Sequence, residues 1–456
     1  MTSNLDLVQA DRHQPISHHY VDHGQVDHGQ VDHGQVDHGM NVRAPTAAYV
    51  HIPFCRRRCY YCDFPISVVG DRPPLPRTDG DTTGHGSSAI AQYIEVLCQE
   101  IAVAPPASAP LDTVFFGGGT PSLLSVKQLG QVLTRLRQTL AIAPTAECSM
   151  EMDPGTFTQE QIDGYVALGI NRVSLGVQAF QANLLALCGR THTPDDIERA
   201  IAMLHQAGVT NYSIDLISGL PTQTIAHWQT SLEQAIALSP PHISVYDLTI
   251  ESGTAFGRWY EPGTDPLPSD TTTATMYRLT QQRLANAGYE HYEISNYAKP
   301  GHHCRHNRVY WKNRPYYGFG MGATSYVLGQ RVSRPRTRAD YAQWVDALVA
   351  QGGIIHHPDT TAQDALLDTL MLGMRLAEGI DLDVLRHQFG DRPVDVLIEC
   401  LAPHVQKGWV AMSSEEGVGN AIGNSLDTEK LPQRARFTDP EGFLFSNVVL
   451  SDIFLP

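Results

Sequence analysis

From Ala48 onward, short apolar runs alternate with longer stretches patterned as helices. The short runs, residues 48–54, 113–116, 147–152, 172–178, 212–217 and 242–248, read as strands. Helix-patterned stretches lie between them near residues 89–102, 125–140, 158–168, 194–207 and 225–238, and a sixth follows at 272–287. Such alternation predicts a parallel sheet with helices outside it. Six units predict an α/β fold built as a partial (β/α) barrel, related to the eight-unit type but open on one side. From about Ala339 the chain is helix-rich and ends in an apolar stretch at 443–455, which reads as a smaller second domain. The expected division is 1–46, 47–338 and 339–456.

Residues 1–46 carry no such pattern. Val-Asp-His-Gly-Gln recurs from Val21, Val26 and Val31, and once more from Val36 with Met40 in last place. A five-residue polar repeat matches neither a helix nor a strand period and cannot bury a core, so a disordered tail is expected. Its histidines, His23, His28, His33 and His38 with His18 and His19 before them, could bind a metal or haem weakly. An expanded tract without a dedicated role is the plainer reading. Residues 68–88, rich in Pro, Gly and Thr, and residues 413–433 read as loops.

Directly after the first strand come Cys55, Cys59 and Cys62, spaced C-x3-C-x2-C. Thiolates are soft ligands that select iron–sulfur clusters, zinc or Cu(I). A structural zinc site closes with a fourth Cys or His, and a ferredoxin brings four cysteines to its cluster. Three cysteines on one tight loop point instead to a [4Fe–4S] cluster with one iron open, the arrangement of radical S-adenosylmethionine (SAM) chemistry. Arg56, Arg57 and Arg58 within the motif would favour the thiolate form if they stand beside the thiols, but they could equally be a solvated loop face and are assigned no individual role.

Composition narrows the picture. At 456 residues the chain can bury a large core. A formal net charge of −16 argues against a nucleic-acid partner. Eight cysteines, three on one loop, are not a disulfide framework, and a reducing cytoplasm fits them best. No apolar run is long enough to span a membrane, and no secretory signal pattern opens the chain. Peripheral membrane association stays open.

In a barrel of this kind the working residues sit at the C-terminal strand ends. Gly117-Gly118-Gly119-Thr120-Pro121 follows the second strand, where glycines let the backbone approach a ligand. Glu151 ends the third strand, Gln178 the fourth, Arg190 follows on the next loop, and Asp215 lies in the fifth. A carboxylate and an amide can hold an ammonium group or ribose hydroxyls, and an arginine can pair with a carboxylate. A second cluster, His302, His303, Cys304, Arg305 and His306, precedes Tyr310, Trp311, Tyr316 and Tyr317. Histidine or cysteine can ligate haem iron, the aromatics could line a porphyrin cleft, and Arg305 and Arg308 could pair with propionates. The alternative is a structured loop whose aromatics pack between domains.

YVHIPFC with its two following cysteines, FFGGGTP, EMDPG, RVSLGVQ, IDLISGLP and HNRVYW, in this order, resemble the radical-SAM family that contains the oxygen-independent coproporphyrinogen oxidases and a haem-chaperone branch. The resemblance covers roughly residues 48 to 456 apart from the two loop-like stretches. It implies a six-unit barrel with a helical C-terminal domain, a [4Fe–4S] cluster on Cys55, Cys59 and Cys62, and SAM held by Tyr49, Gly118, Gly119, Thr120, Glu151, Gln178, Arg190 and Asp215. Thr249 and Thr324 stand where the oxidases supply apolar contacts, so their carry-over is weaker. The oxidases have a further cysteine two places after the third; here that place is Phe64. Cys62-Asp63-Phe64-Pro65 and His306-Asn307-Arg308-Val309-Tyr310-Trp311 both take the form of the haem-chaperone branch.

The resemblance therefore implies a chain that binds haem, with His306 as candidate ligand, and delivers it to haem-dependent membrane or respiratory proteins. The cluster would serve assembly, dimerisation or release, which leaves a homodimer open. The rival implied by the same resemblance is oxidative decarboxylation of coproporphyrinogen III, and a radical-SAM enzyme acting on an unrelated substrate is a third reading.

Overall fold

The computed structural model describes residues 44–70, 88–355, 360–414 and 432–454. The repeat tail and most of the two loop-like stretches lie outside the described residues. Six strands run parallel in chain order: β1 (Ala47–Ile52), β2 (Leu111–Gly118), β3 (Ile142–Met152), β4 (Arg172–Gln178), β5 (Tyr212–Ser218) and β6 (His242–Asp247). Three short strands extend the sheet: β7 (Glu290–Glu293), β8 (Asn296–Ala298) and β9 (Tyr317–Phe319). The spatial order is β9-β1-β2-β3-β4-β5-β6-β8-β7, with β7 and β8 antiparallel and the rest parallel. The edges β9 and β7 do not pair, so the barrel is open, as the six-unit count predicts.

The connecting helices Ser88–Ala102, Val126–Thr139, Gln159–Ala167, Pro194–Gln206, Ile225–Ala237 and Asp270–Asn286 match the helical pattern read from the sequence. Their starts are written locally. The hydroxyls of Ser125, Thr158 and Thr224 each accept the backbone N–H three residues on, satisfying a donor the helix itself leaves orphaned. Against these helices pack Val114, Phe116, Met150, Met152, Val173, Leu175, Ile214 and Leu216, alternate residues of β2 to β5.

The other alternation is polar. Glu147, Ser149, Arg172, Ser174, Ser213, His242 and Ser244 are buried on β3 to β6. Asp215 accepts hydrogen bonds from Ser174 Oγ at 2.7 Å and Ser213 Oγ at 2.8 Å. Ser213 Oγ meets His242 Nδ1 at 2.9 Å, and His242 Nε2 meets the Tyr292 hydroxyl at 2.8 Å. That hydroxyl accepts the Cys304 N–H at 3.2 Å, and the Cys304 thiol points at Glu147. Burial, reinforced by the Arg172 charge, holds His242 well below the usual imidazole range, so it is neutral and one ring nitrogen donates while the other accepts. A chain of hydrogen bonds thus runs through the barrel from Asp215 towards the helix Arg305–Trp311.

The C-terminal region has its own core of Leu370, Met374, Leu382, Leu385, Leu397, Leu401, Phe437, Phe443 and Leu450. Helices Leu382–Phe389, Asp391–Gln406 and Ser446–Phe454 surround an antiparallel sheet of Ile380–Asp381, Arg434–Phe437 and Val410–Ser413. The helix Arg338–Ala350 packs instead on Ser88–Ala102, and its Tyr341 and Val345 join the barrel core. Tyr341 donates to Glu100 at 2.6 Å, as does Arg334 at 2.8 Å. The two regions are joined by Arg308 to Glu378, Arg278 to Glu441 and His291 to Asp439.

Candidate functional site

After β1 the chain pairs Phe54–Cys55 with Ser67–Val68 in parallel, which closes the cysteine loop on itself. Within it Cys62 N–H donates to the Cys59 carbonyl at 3.2 Å. All three cysteines line one cleft of about 680 Å³ at the C-terminal strand ends. Gly118, Gly119, Thr120, Glu151, Gln178, Arg190, Asp215 and Thr249 line the same cleft. Residues separated by up to 194 positions thus converge because every βα unit delivers its strand end to one face.

Donors surround the sulfurs. Thr120 Oγ1 lies 3.7 Å from Cys55 Sγ, and Arg190 Nη1 lies 3.5 Å from Cys59 Sγ. Among the described residues, no three Cys, His, Asp or Glu side chains converge on a single-ion site. The soft donor set of three thiols on one wall is one that an iron–sulfur cluster accepts. Burial pushes the Cys55 thiol up to about 12, partly opposed by the Thr120 hydroxyl. The protein alone therefore disfavours a thiolate there, and ligated iron would supply the compensating charge.

Arg190 is fixed from two sides. It donates to the Gly176 carbonyl at 2.7 Å and pairs with Asp153, which also accepts from Thr120 Oγ1 at 3.0 Å. Gly176 makes this possible: a Cβ there would lie 2.7 Å from Asp153 Oδ1 and 3.0 Å from Gln178 Nε2. Gln178 ends β4 at a register shift with φ of +68°, a strained backbone that sets its side chain in the cleft. Gly118 has φ of +115°, and a Cβ on it would meet the His51 ring at 2.4 Å. Its N–H donates to Glu151 Oε2 at 2.9 Å.

Two cleft carboxyls resist ionisation. Burial pushes Glu151 up to about 7, against the Gly118 hydrogen bond and with help from Asp215 and Asp153. Burial also raises Asp215, while the Ser174, Ser244 and Ser213 hydroxyls and Arg172 oppose it. A cationic ligand group would relieve both.

Three expected residues do not line the cleft itself. Tyr49 stands just behind it, its ring edge at Gly117 near the Glu151 carboxyl; its hydroxyl lies 3.0 Å from His51 Nδ1, and the other His51 nitrogen meets the Pro65 carbonyl at 3.0 Å. Thr324 sits in the hairpin Thr324–Val327/Gln330–Ser333, with its hydroxyl on Ser333 at 2.8 Å. His306 is only 1% exposed, outside the cleft. Its Nδ1 lies 2.8 Å from Thr113 Oγ1, its Nε2 2.8 Å from the Tyr310 hydroxyl, and its ring stacks on Phe115. Burial, then Arg172, lowers it to about 3. Both nitrogens are engaged within the fold, so in this arrangement His306 offers none to an iron. Sequence reading missed Asp153 and His51 as supports, although both lie inside motifs it singled out.

A radical SAM superfamily model matches residues 49–235, and a HemN C-terminal domain model matches residues 360–415. The chain is similar to the heme chaperone HemW of Synechocystis sp., 47% identical over 90% of this chain and 96% of that protein. It is 30% identical to the Bacillus subtilis heme chaperone HemW, over 83% of this chain and 97% of that one. The chain belongs to the HemW family. A solved structure of coproporphyrinogen III oxidase (HemN) from Escherichia coli shares the fold, with a TM-score of 0.71 at 23% identity over 90% of each chain. Membership of the HemW family and this shared fold agree with the expected radical-SAM barrel and helix-rich C-terminal region. Among the described residues no helix is long and apolar enough to cross a membrane.

Proposed function

We propose that this protein binds haem and hands it to haem-dependent proteins, respiratory enzymes among them, from the cytoplasm. The observation that carries this reading is the 47% identity to the Synechocystis heme chaperone HemW across nearly the whole of both chains. In this reading Cys55, Cys59 and Cys62 hold a [4Fe–4S] cluster. Gly118, Gly119 and Thr120 bring backbone close to SAM, Glu151 and Asp215 take its cationic and hydroxyl groups, and Gln178 and Arg190 orient it. A cluster bound there would supply an open iron for the methionyl end of SAM. Thr120 and Arg190 donate towards the sulfurs, and Asp153 keeps Arg190 in place. A cluster-dependent homodimer and peripheral docking at a membrane belong to the same proposal.

The oxidase rival has the fold on its side, but Phe64 stands where its further thiol would be. One experiment separates the two. The anaerobically reconstituted protein is given haem and then a haem-free acceptor such as an apocytochrome, and in parallel SAM, a reductant and coproporphyrinogen III. Haem appearing on the acceptor without porphyrinogen turnover supports the chaperone. Catalytic turnover of the porphyrinogen would overturn it.

A further inference from the structure

Gln178 closes β4 at the cleft, but the same strand opens on Arg172, a charged residue only 1% exposed. Strand register fixes where it stands. Arg172 lies opposite Ser149 of β3, and Ser174, two residues on, lies between Glu151 of β3 and Ser213 of β5. Alternate residues of a strand share a face. Arg172 is therefore on the barrel side, about 7 Å below the Ser174 hydroxyl that donates to Asp215, a span an arginine side chain covers.

A buried arginine that serves packing alone is paired directly. This one is not. Among the described residues neither its Nε nor its Nη1 has a hydrogen-bond partner, and Ser149 Oγ across from it has none either. Glu147, on the same face of β3, is taken up by the N–H groups of Arg305 and His306 and by the Cys304 thiol. Burial opposes the Arg172 charge, and the Glu147 and Asp215 carboxylates uphold it. A guanidinium placed so acts on both carboxylates through space, in an interior that screens charge poorly.

The groups around Asp215 show which of the two depends on it. Glu151 faces Asp215 from β3, Ser174 and Arg172 from β4, and Ser244 and Tyr246 from β6, with His242 behind Ser213. The His242 ring is neutral, and burial keeps the Tyr246 phenol neutral too. Glu151, when ionised, has the same sign as Asp215. Arg172 is the cation among them.

We propose that Arg172 is a positioning residue for the cleft, its charge presenting Asp215 to the ligand as a carboxylate that accepts hydroxyl or cationic groups. The proposal rests on the SAM-binding reading above and adds to it a residue that does not line the cleft.

The test is equilibrium dialysis of SAM against the full-length, cluster-loaded protein over roughly pH 6 to 8, each variant compared with the wild type at the same pH so that the Glu151 titration cancels. Arg172→Met and Arg172→Gln remove the charge. Each is expected to raise the Kd about tenfold at the acid end, where Asp215 then takes up a proton, and by less at the alkaline end. Arg172→Lys keeps the charge and should stay within about threefold of the wild type throughout. In an Asp215→Asn background the neutral substitutions should cost nothing further, since no carboxylate remains for Arg172 to act on. A Kd raised equally at every pH, or raised as much without Asp215 as with it, marks a structural arginine and overturns the proposal. Failure of both neutral variants to fold, read by circular dichroism, overturns it in the same way, and so do neutral variants that bind like the wild type. Wild-type protein that binds no SAM overturns instead the reading of the cleft, before any variant is made.

Discussion

The Glu147 carboxylate accepts the backbone N–H of His306 at 3.1 Å, tying β3 to the first turn of the helix Arg305–Trp311. The same carboxylate accepts the Arg305 N–H at 3.1 Å and faces the Cys304 thiol. A helix start without a side-chain cap of its own is thus capped from across the barrel. The spacing of the HNRVYW motif serves this placement: His306 and Tyr310, one turn apart, meet beneath Phe115.

Glu147→Ala removes the acceptor for these donors and leaves them buried. The expected cost is about 1.5–3 kcal/mol, the range for hydrogen bonds to a charged group. Glu147→Gln, which keeps an acceptor oxygen, should lose less. Thermal unfolding followed by circular dichroism reads both, and an unchanged midpoint in Glu147→Ala would count against the cap.

Gly118→Ala places a methyl group on a backbone with φ of +115° and within 2.4 Å of the His51 ring. The backbone strain alone costs about 1–3 kcal/mol. Besides a lower unfolding midpoint, SAM binding by equilibrium dialysis is expected to fall, because His51 and the Glu151 contact must both shift. Wild-type values in both measurements would show that the close approach is not required.

Glu151 links pH to two quantities with opposite signs. Its carboxyl ionises near 4.5 when unfolded and near 7 in the fold. The folded state therefore holds a proton that the unfolded chain has released, and this contribution is full below about 4.5 and lost as pH rises through 7. Binding a cation needs the carboxylate, so SAM affinity of the cluster-loaded protein should rise over roughly pH 6 to 8, whereas the stability contribution falls between about 4.5 and 7 and is level above that. Glu151→Gln should flatten both profiles. A SAM affinity that keeps its pH dependence in that variant would remove Glu151 from the site.

Cys59→Ala is expected to yield protein that folds but, after anaerobic reconstitution, lacks the visible iron–sulfur absorbance and the matching iron and sulfide. Full wild-type iron and sulfide content would contradict the cluster assignment. A parallel Cys400→Ala control, outside the cleft, should load normally.

Much of this site can be read in the chain before folding, because the βα order alone brings strand ends together. Cys55, Gly118, Glu151, Gln178 and Asp215 follow from that rule. Strands β7, β8 and β9 do not, since runs of three or four residues carry no measurable period. The polar barrel lining was equally hidden: Arg172 and His242 open their strands and read as boundary residues. His306 shows the sharper limit. A histidine among aromatics reads as a ligand until Thr113, 193 positions away, is found on its ring nitrogen.

The buried chain from Asp215 through Ser213, His242 and Tyr292 also constrains how this barrel can evolve. Changing one member to a hydrocarbon side chain leaves its neighbour's donor or acceptor orphaned, whereas changing partners together can be nearly neutral. Drift along the lining is therefore expected in correlated sets rather than singly. Anyone redesigning the interior of this barrel would have to replace those residues as a block.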